Sequence, residues 1–268
     1  MAATIIYGVL VVGGVCLAAV GGLTLVQFLV PTASRQQHND VAGFIYAVLG
    51  VIYAVLLALV VIAVWEDFGR ARETVEGEAN ATAEIFWLAH RLPEPERRQV
   101  QELARSYTRE VVRKEWPLMR EGQAPLMEQG QATPTGWVLI DDIRATLQGF
   151  EPRAPAEEAL YAEGLDQVEG LADARRMRLV AAHEGIPAVL WVVLVMAGGA
   201  VVGFTYLFGL ESTWAHRLMV VALAGVIGLV LFTIGAIEHP FSGGASIGTG
   251  AFDLILQRFE TSRLSDLR

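Results

Sequence analysis

The sequence predicts an all-α membrane protein with four transmembrane helices and a helical cytoplasmic extension between spans two and three. Three observations carry that prediction. Hydrophobic residues make up 53% of the 268-residue chain, and the mean hydropathy is +0.43, more apolar than an ordinary soluble domain. Residues 4–30, 41–64, 186–210 and 218–237 contain no Asp, Glu, Lys or Arg. Each run has about 20 residues or more, enough at ~1.5 Å per residue to cross a ~30 Å hydrocarbon layer. The runs are also continuous instead of alternating, so they satisfy their backbones as helices and not as barrel strands.

The first run lacks a preceding Lys or Arg, and its apolar stretch exceeds the ~7–15 residues of a signal peptide, so it reads as a retained span. Of the 20 Lys and Arg residues, Arg35 and Arg217 alone lie in the loops after spans one and three. The positive-inside tendency then places both termini and residues 66–185 in the cytoplasm, with the protein in the inner (plasma) membrane. The chain thus divides into spans one and two (1–65), the insert (66–185), spans three and four (186–237) and a corner with a C-terminal helix (238–268).

The insert holds 23 acidic and 15 basic residues. Phe68, Ala71, Val75, Ala79, Thr82, Phe86 and Ala89 repeat at three and four, which makes span two run on as one long helix of about 75 Å. "LPEPE" at 92–96 stops it, with Pro95 suited to the first turn of the next helix. That helix carries Val100, Leu103, Tyr107 and Val111, and "EWP" at 115–117 is expected to end it. Residues 120–135 read as loop, Ile140, Ile143, Leu147 and Phe150 mark a short helix, and 156–184 form a charged one. In the tail, Phe252, Ile255, Leu256 and Phe259 share a face whose mixed-sign surroundings favour packing on the insert over lying on a membrane.

Signals for chemistry are poor. The five histidines, His38, His90, His183, His216 and His239, lack metal-ligand spacing, and no HExxH, GxSxG or phosphate-loop pattern occurs. "GVLVVGG" at 8–14 lies inside a span and reads as small residues for helix packing. Cys16 is single and inside span one, so it forms no intrachain disulfide. A net charge of −9 disfavours nucleic acid. These residues point to no enzyme and no cofactor or metal.

The spans carry more information. Gly43, Ala47, Gly50, Ala54 and Ala58 form a strip of small residues on span two. Tyr46, Gly50, Tyr53 and Leu57 share a face, and the Tyr53 hydroxyl near mid-membrane needs a partner or water. It either bonds a neighbouring helix or faces a pore. Span four ends on Glu238 and His239, followed by Pro240, Phe241 and a Ser-Gly-Gly. Pro240 stops the helix, Phe241 anchors the turn, and Glu238 either reaches water or pairs with Arg176 or Arg178.

The layout, with "IEHPFSG" at 237–243, resembles bestrophins. "YAVLLALVVIAVWEDF" at 53–68, "EAN" at 78–80, "EWP" at 115–117, "GIPAVLW" at 185–191 and "HPFSGG" at 239–244 look like the bestrophin-like domain family of membrane proteins. The resemblance to bestrophin anion channels implies a homo-oligomer, with a pentamer the first guess. It also implies a hydrophobic neck built by the second spans, with Tyr46, Gly50, Tyr53 and Leu57 pore-lining and small inorganic ions passing through. Animal bestrophins follow the corner with an acidic calcium-binding run. Here "SGGASIGTG" at 242–250 has no acid, so that gate is not expected. Ion sign stays open. The competing reading is a non-conducting scaffold or sensor whose helical extension binds a partner protein. A proton-coupled transporter ranks below both, because no span contains a carboxylate.

Overall fold

The computed structural model describes residues 2–36, 39–122, 134–183 and 185–265, and among them every regular element is helical. The chain divides into two compact units. The apolar unit is Met1–Glu66 with Gly185–Glu238, and the polar unit is Asp67–Glu184 with His239–Arg268.

In the apolar unit, α1 (Ala2–Leu29) packs along α9 (Thr213–Ile237), and α8 (Ala188–Thr205) packs against both. Among the described residues, four helices are long and apolar enough to cross a membrane. Small residues set the approach of α1 to α9. A β-carbon at Gly8 would stand 2.7 Å from the Phe232 ring, whereas Gly13 and Gly14 have open space around them. Of the "GVLVVGG" glycines, Gly8 is therefore the one that packs. Cys16 Sγ lies 3.7 Å from the Val221 carbonyl. The short α2 (Thr32–Gln36) carries Arg35, whose guanidinium donates to the Tyr206 and Phe208 carbonyls at 3.1 and 3.2 Å. A cation there meets the exposed carbonyls beyond the C-terminus of α8.

Helix α3 (Asn39–Leu88) is 50 residues long and leads into a 3₁₀ turn, Ala89–Arg91. No proline interrupts it, and its isolated glycines are tolerated in so long a hydrogen-bonded run. Its later half buries Ala71, Val75, Ala79, Ile85 and Phe86 in the core of the polar unit. Helix α4 (Glu96–Glu110) then passes into a π-helical turn, Val111–Glu115, and directly into α5 (Trp116–Arg120).

"EWP" therefore does not end the helix as expected from the sequence. Pro117 falls in the first turn of α5, where a missing N–H is tolerated, and the π turn before it supplies the change of register. Helix α6 (Thr135–Gln148) packs on α4, and α7 (Pro155–Ala181) packs on α6. The expected loop at 120–135 falls largely outside the described residues.

The C-terminal α10 (Gly250–Ser265) buries Phe252, Ile255 and Phe259 in the same core. Phe259 stacks on Phe86 with ring centres 4.0 Å apart, so the apolar stripe of the tail is a packing face.

Candidate functional site

Two constellations place the residues singled out in the sequence, and the structure adds a third. The first is the second span. Tyr53 is 4% exposed, and a β-carbon on Gly198 of α8 would stand 2.7 Å from its hydroxyl. The ring fits because α8 offers a glycine there. Tyr46 stacks near Phe204 and meets Phe208 edge-on at 5.8 Å. Tyr46 and Leu57 pack at the margin of the core formed by Tyr53, Val201, Val220, Ala224 and Ile227, and Gly50 is half-buried on the same side.

Tyr46, Tyr53 and Leu57 are thus turned toward α8 and α9 of their own chain, while a β-carbon at Gly50 would meet nothing within 4 Å. The side of α3 left exposed in the apolar unit carries Phe44, Val48, Val51, Val55, Leu59 and Ile62, with Ala47, Ala54 and Ala58 beside them. The same three-and-four spacing continues through Glu66, Gly69, Glu73, Gly77, Asn80 and Glu84. Among the described residues Glu66, Glu73 and Glu84 have no ion-pair partner, whereas Asp67 pairs with Arg70 and Glu76 with Arg72.

The second constellation is the corner. Glu238 accepts a hydrogen bond from the Trp191 indole N–H at 2.8 Å, joining the "GIPAVLW" segment to the end of α9. Within the polar unit Arg176 pairs with Asp173, and Arg178 with Glu78 and Glu115. In the polar unit Pro240 and Phe241 are buried. The Phe241 ring meets Trp116 edge-on at 5.6 Å. The turn is closed by Gly243 N–H to the His239 carbonyl and Ile247 N–H to the Pro240 carbonyl, each 2.8 Å.

The third constellation was not legible as a site in the sequence. Arg178 donates to Glu78 through Nε at 2.6 Å and Nη2 at 3.0 Å, and to Glu115 through Nη2 at 2.7 Å. Arg175 spans both oxygens of Glu115 at 2.7 Å each. The Tyr107 hydroxyl donates to Glu78. All five side chains are almost wholly removed from solvent.

Arg175 also lies over the Trp137 ring at 5.0 Å, and it fits because Gly136 has no side chain: a β-carbon there would overlap the guanidinium. Two cations facing two anions make the cluster neutral, the condition under which charges survive burial. Burial raises the cost of the Glu115 anion, but Arg178 and Arg175 more than offset it and hold the carboxyl below its usual range. Burial would lower Arg178, yet Glu78 and Glu115 push it well above the ordinary guanidinium value. Burial, followed by the Glu78 charge, drives the Tyr107 phenol well up.

Glu78 and Glu115 are the acids of "EAN" and "EWP". The quoted segments therefore meet in pairs: Glu78 with Glu115 through Arg178, Trp116 with Phe241, and Trp191 with Glu238. The sequence signal available was the i, i+3 spacing of Arg175 and Arg178 among the apolar positions of α7, one turn from Leu171, Ala172 and Leu179.

Four apolar helices and a polar helical unit with a buried ion cluster define a multi-pass membrane protein. A family model, the Bestrophin-like domain, matches residues 13–252, and the chain belongs to that family. Comparison with curated proteins and with solved structures gave no match.

Proposed function

We propose that the protein is an oligomeric ion channel of the bestrophin-like family whose conduit is lined by α3, with five copies the first stoichiometry to test. The protein acts as a conduit, not as an enzyme. It lies in the inner membrane with both termini and the polar unit in the cytoplasm, following the distribution of basic residues.

The observation that carries this reading is the exposed stripe of α3. Phe44, Val48, Val51, Val55, Leu59 and Ile62 offer an apolar neck that closes by dewetting. The row then becomes acidic at Glu66, Glu73 and Glu84. Rings of carboxylates with no basic partner concentrate cations and repel anions, so the permeant ions are small inorganic cations. Tyr46, Tyr53 and Leu57 support the neck from behind, by packing α3 on α8 and α9.

The test is flux through purified protein in liposomes, with potassium and chloride gradients measured separately. Potassium is expected to pass at least tenfold faster than chloride, and Glu73→Lys with Glu84→Lys is expected to lower that ratio toward one or invert it. Assembled protein that passes neither ion over a range of voltage and pH overturns the channel and leaves a scaffold that binds a partner. Unchanged selectivity in the double variant overturns the acidic stripe as the filter.

A further inference from the structure

Adjacent residues of the π turn and α5 serve two different partners. Glu115 ends the π turn in the grip of Arg175 and Arg178. Trp116 opens α5, packs against Phe241 and Phe252 at 5.6 and 5.9 Å, and donates its indole N–H to the Ile247 carbonyl at 3.3 Å. The Arg178 guanidinium lies 5.8 Å from the Trp116 ring, on the boundary between the two groups. Glu78 on α3, Tyr107 on α4, Met119 on α5 and Arg175 and Arg178 on α7 surround the cluster.

A π turn holds one residue more than an α turn would. Relaxing the turn to α geometry with that residue still in the chain rotates everything after it by about 100°. Glu115 and Trp116 would swing together, because a single backbone carries both. Neither can keep its partners if the other loses its own.

We propose that the π turn is a two-register coupling device, in which the Glu78–Arg178–Glu115–Arg175 cluster holds the register that docks the Pro-Phe corner, residues 239–247, through Trp116. Release of Glu115 lets the turn relax toward α geometry and frees Phe241 and the Ile247 carbonyl in the same step. All of these contacts lie inside the polar unit, and the coupling holds whether or not the protein conducts.

Hydrogen exchange on the full-length protein in nanodiscs tests it, comparing wild type with Glu115→Gln, which preserves the shape of the side chain. Amides of Gly243 and Ile247 are expected to exchange at least tenfold faster in Glu115→Gln, while the core amides of Ile140 and Ile143 on α6 keep their protection. The proposal is overturned if exchange quickens around Arg175–Arg178 while Gly243 and Ile247 stay protected. It is equally overturned if Glu115→Gln changes neither region, or if α6 loosens to the same degree, which would mean general destabilisation.

Discussion

A guanidinium withdrawn from water is tolerable only when acceptors meet its donors, and Arg178 meets that condition with Glu78, Glu115 and the Met119 sulfur. Removing it leaves two carboxylates buried with half of their compensation gone. Arg178→Met is therefore expected to destabilise the polar unit by about 3–5 kcal/mol. Arg176→Ala, two residues away and paired with Asp173 on the surface, should stay within about 0.5 kcal/mol. Denaturation of the purified protein followed by circular dichroism separates the two, and equal losses would refute the assignment.

The same cluster fixes a pH dependence with two limbs. Glu115 is held below the usual carboxylate range, so the unfolded chain takes up its proton first on acidification. The stability it contributes is complete above the unfolded value of about 4.3 and drains away as pH falls through the folded one. Tyr107 runs the other way: its phenol is pushed up, so its contribution is present below about pH 10 and lost as pH rises beyond it. Melting midpoints should form a plateau between these limits. Glu115→Gln should flatten the acid limb and Tyr107→Phe the alkaline one, and limbs that persist unchanged would place the titration elsewhere.

At the scale of elements, legibility followed the number of terms that decide each feature. Spans and the long α3 were readable because one quantity, apolar length or a three-and-four repeat, settles them, as with Ala71, Val75 and Ala79. The tail was readable for a similar reason: Phe252 and Phe259 on one face need a core. Pro117 was misread because a proline is a stop signal only when the backbone before it stays α-helical, and the π turn removes that condition. The π turn coincides with the reach of Glu115 to α7, a tertiary contact that nothing local in "KEWP" records. Arg175 and Arg178 were hidden likewise, since a charge in a polar helix is exposed until its partners from α3 and the π turn are known. The pore-lining role of Tyr46, Gly50, Tyr53 and Leu57 is what the resemblance implies, and the residues alone leave Tyr53 between a neighbouring helix and a pore; its burial against Gly198 is a property of α8 and cannot be read along α3.

The whole assembly adds a constraint that one chain cannot express: in a cyclic oligomer, identical residues of different copies meet only close to the rotation axis. Contacts between subunits away from the axis join unlike residues. This separates a central α3 from an α3 that faces lipid, although the same side chains are exposed in either case. Cys16 is the single cysteine, so Cys16→Ser gives a background free of thiols. In that background Val51→Cys and Val55→Cys are expected to form disulfide-linked dimers on mild oxidation in membranes. Leu17→Cys on α1, Met196→Cys on α8 and Val226→Cys on α9, all as exposed as the α3 positions, should remain monomeric on denaturing gels. Linking at Val51 and Val55 alone puts α3 at the axis, where its apolar neck and acidic row surround one path. If they stay reduced while one of the others links, the axis belongs to a different helix, and conduction along α3 has no geometric basis.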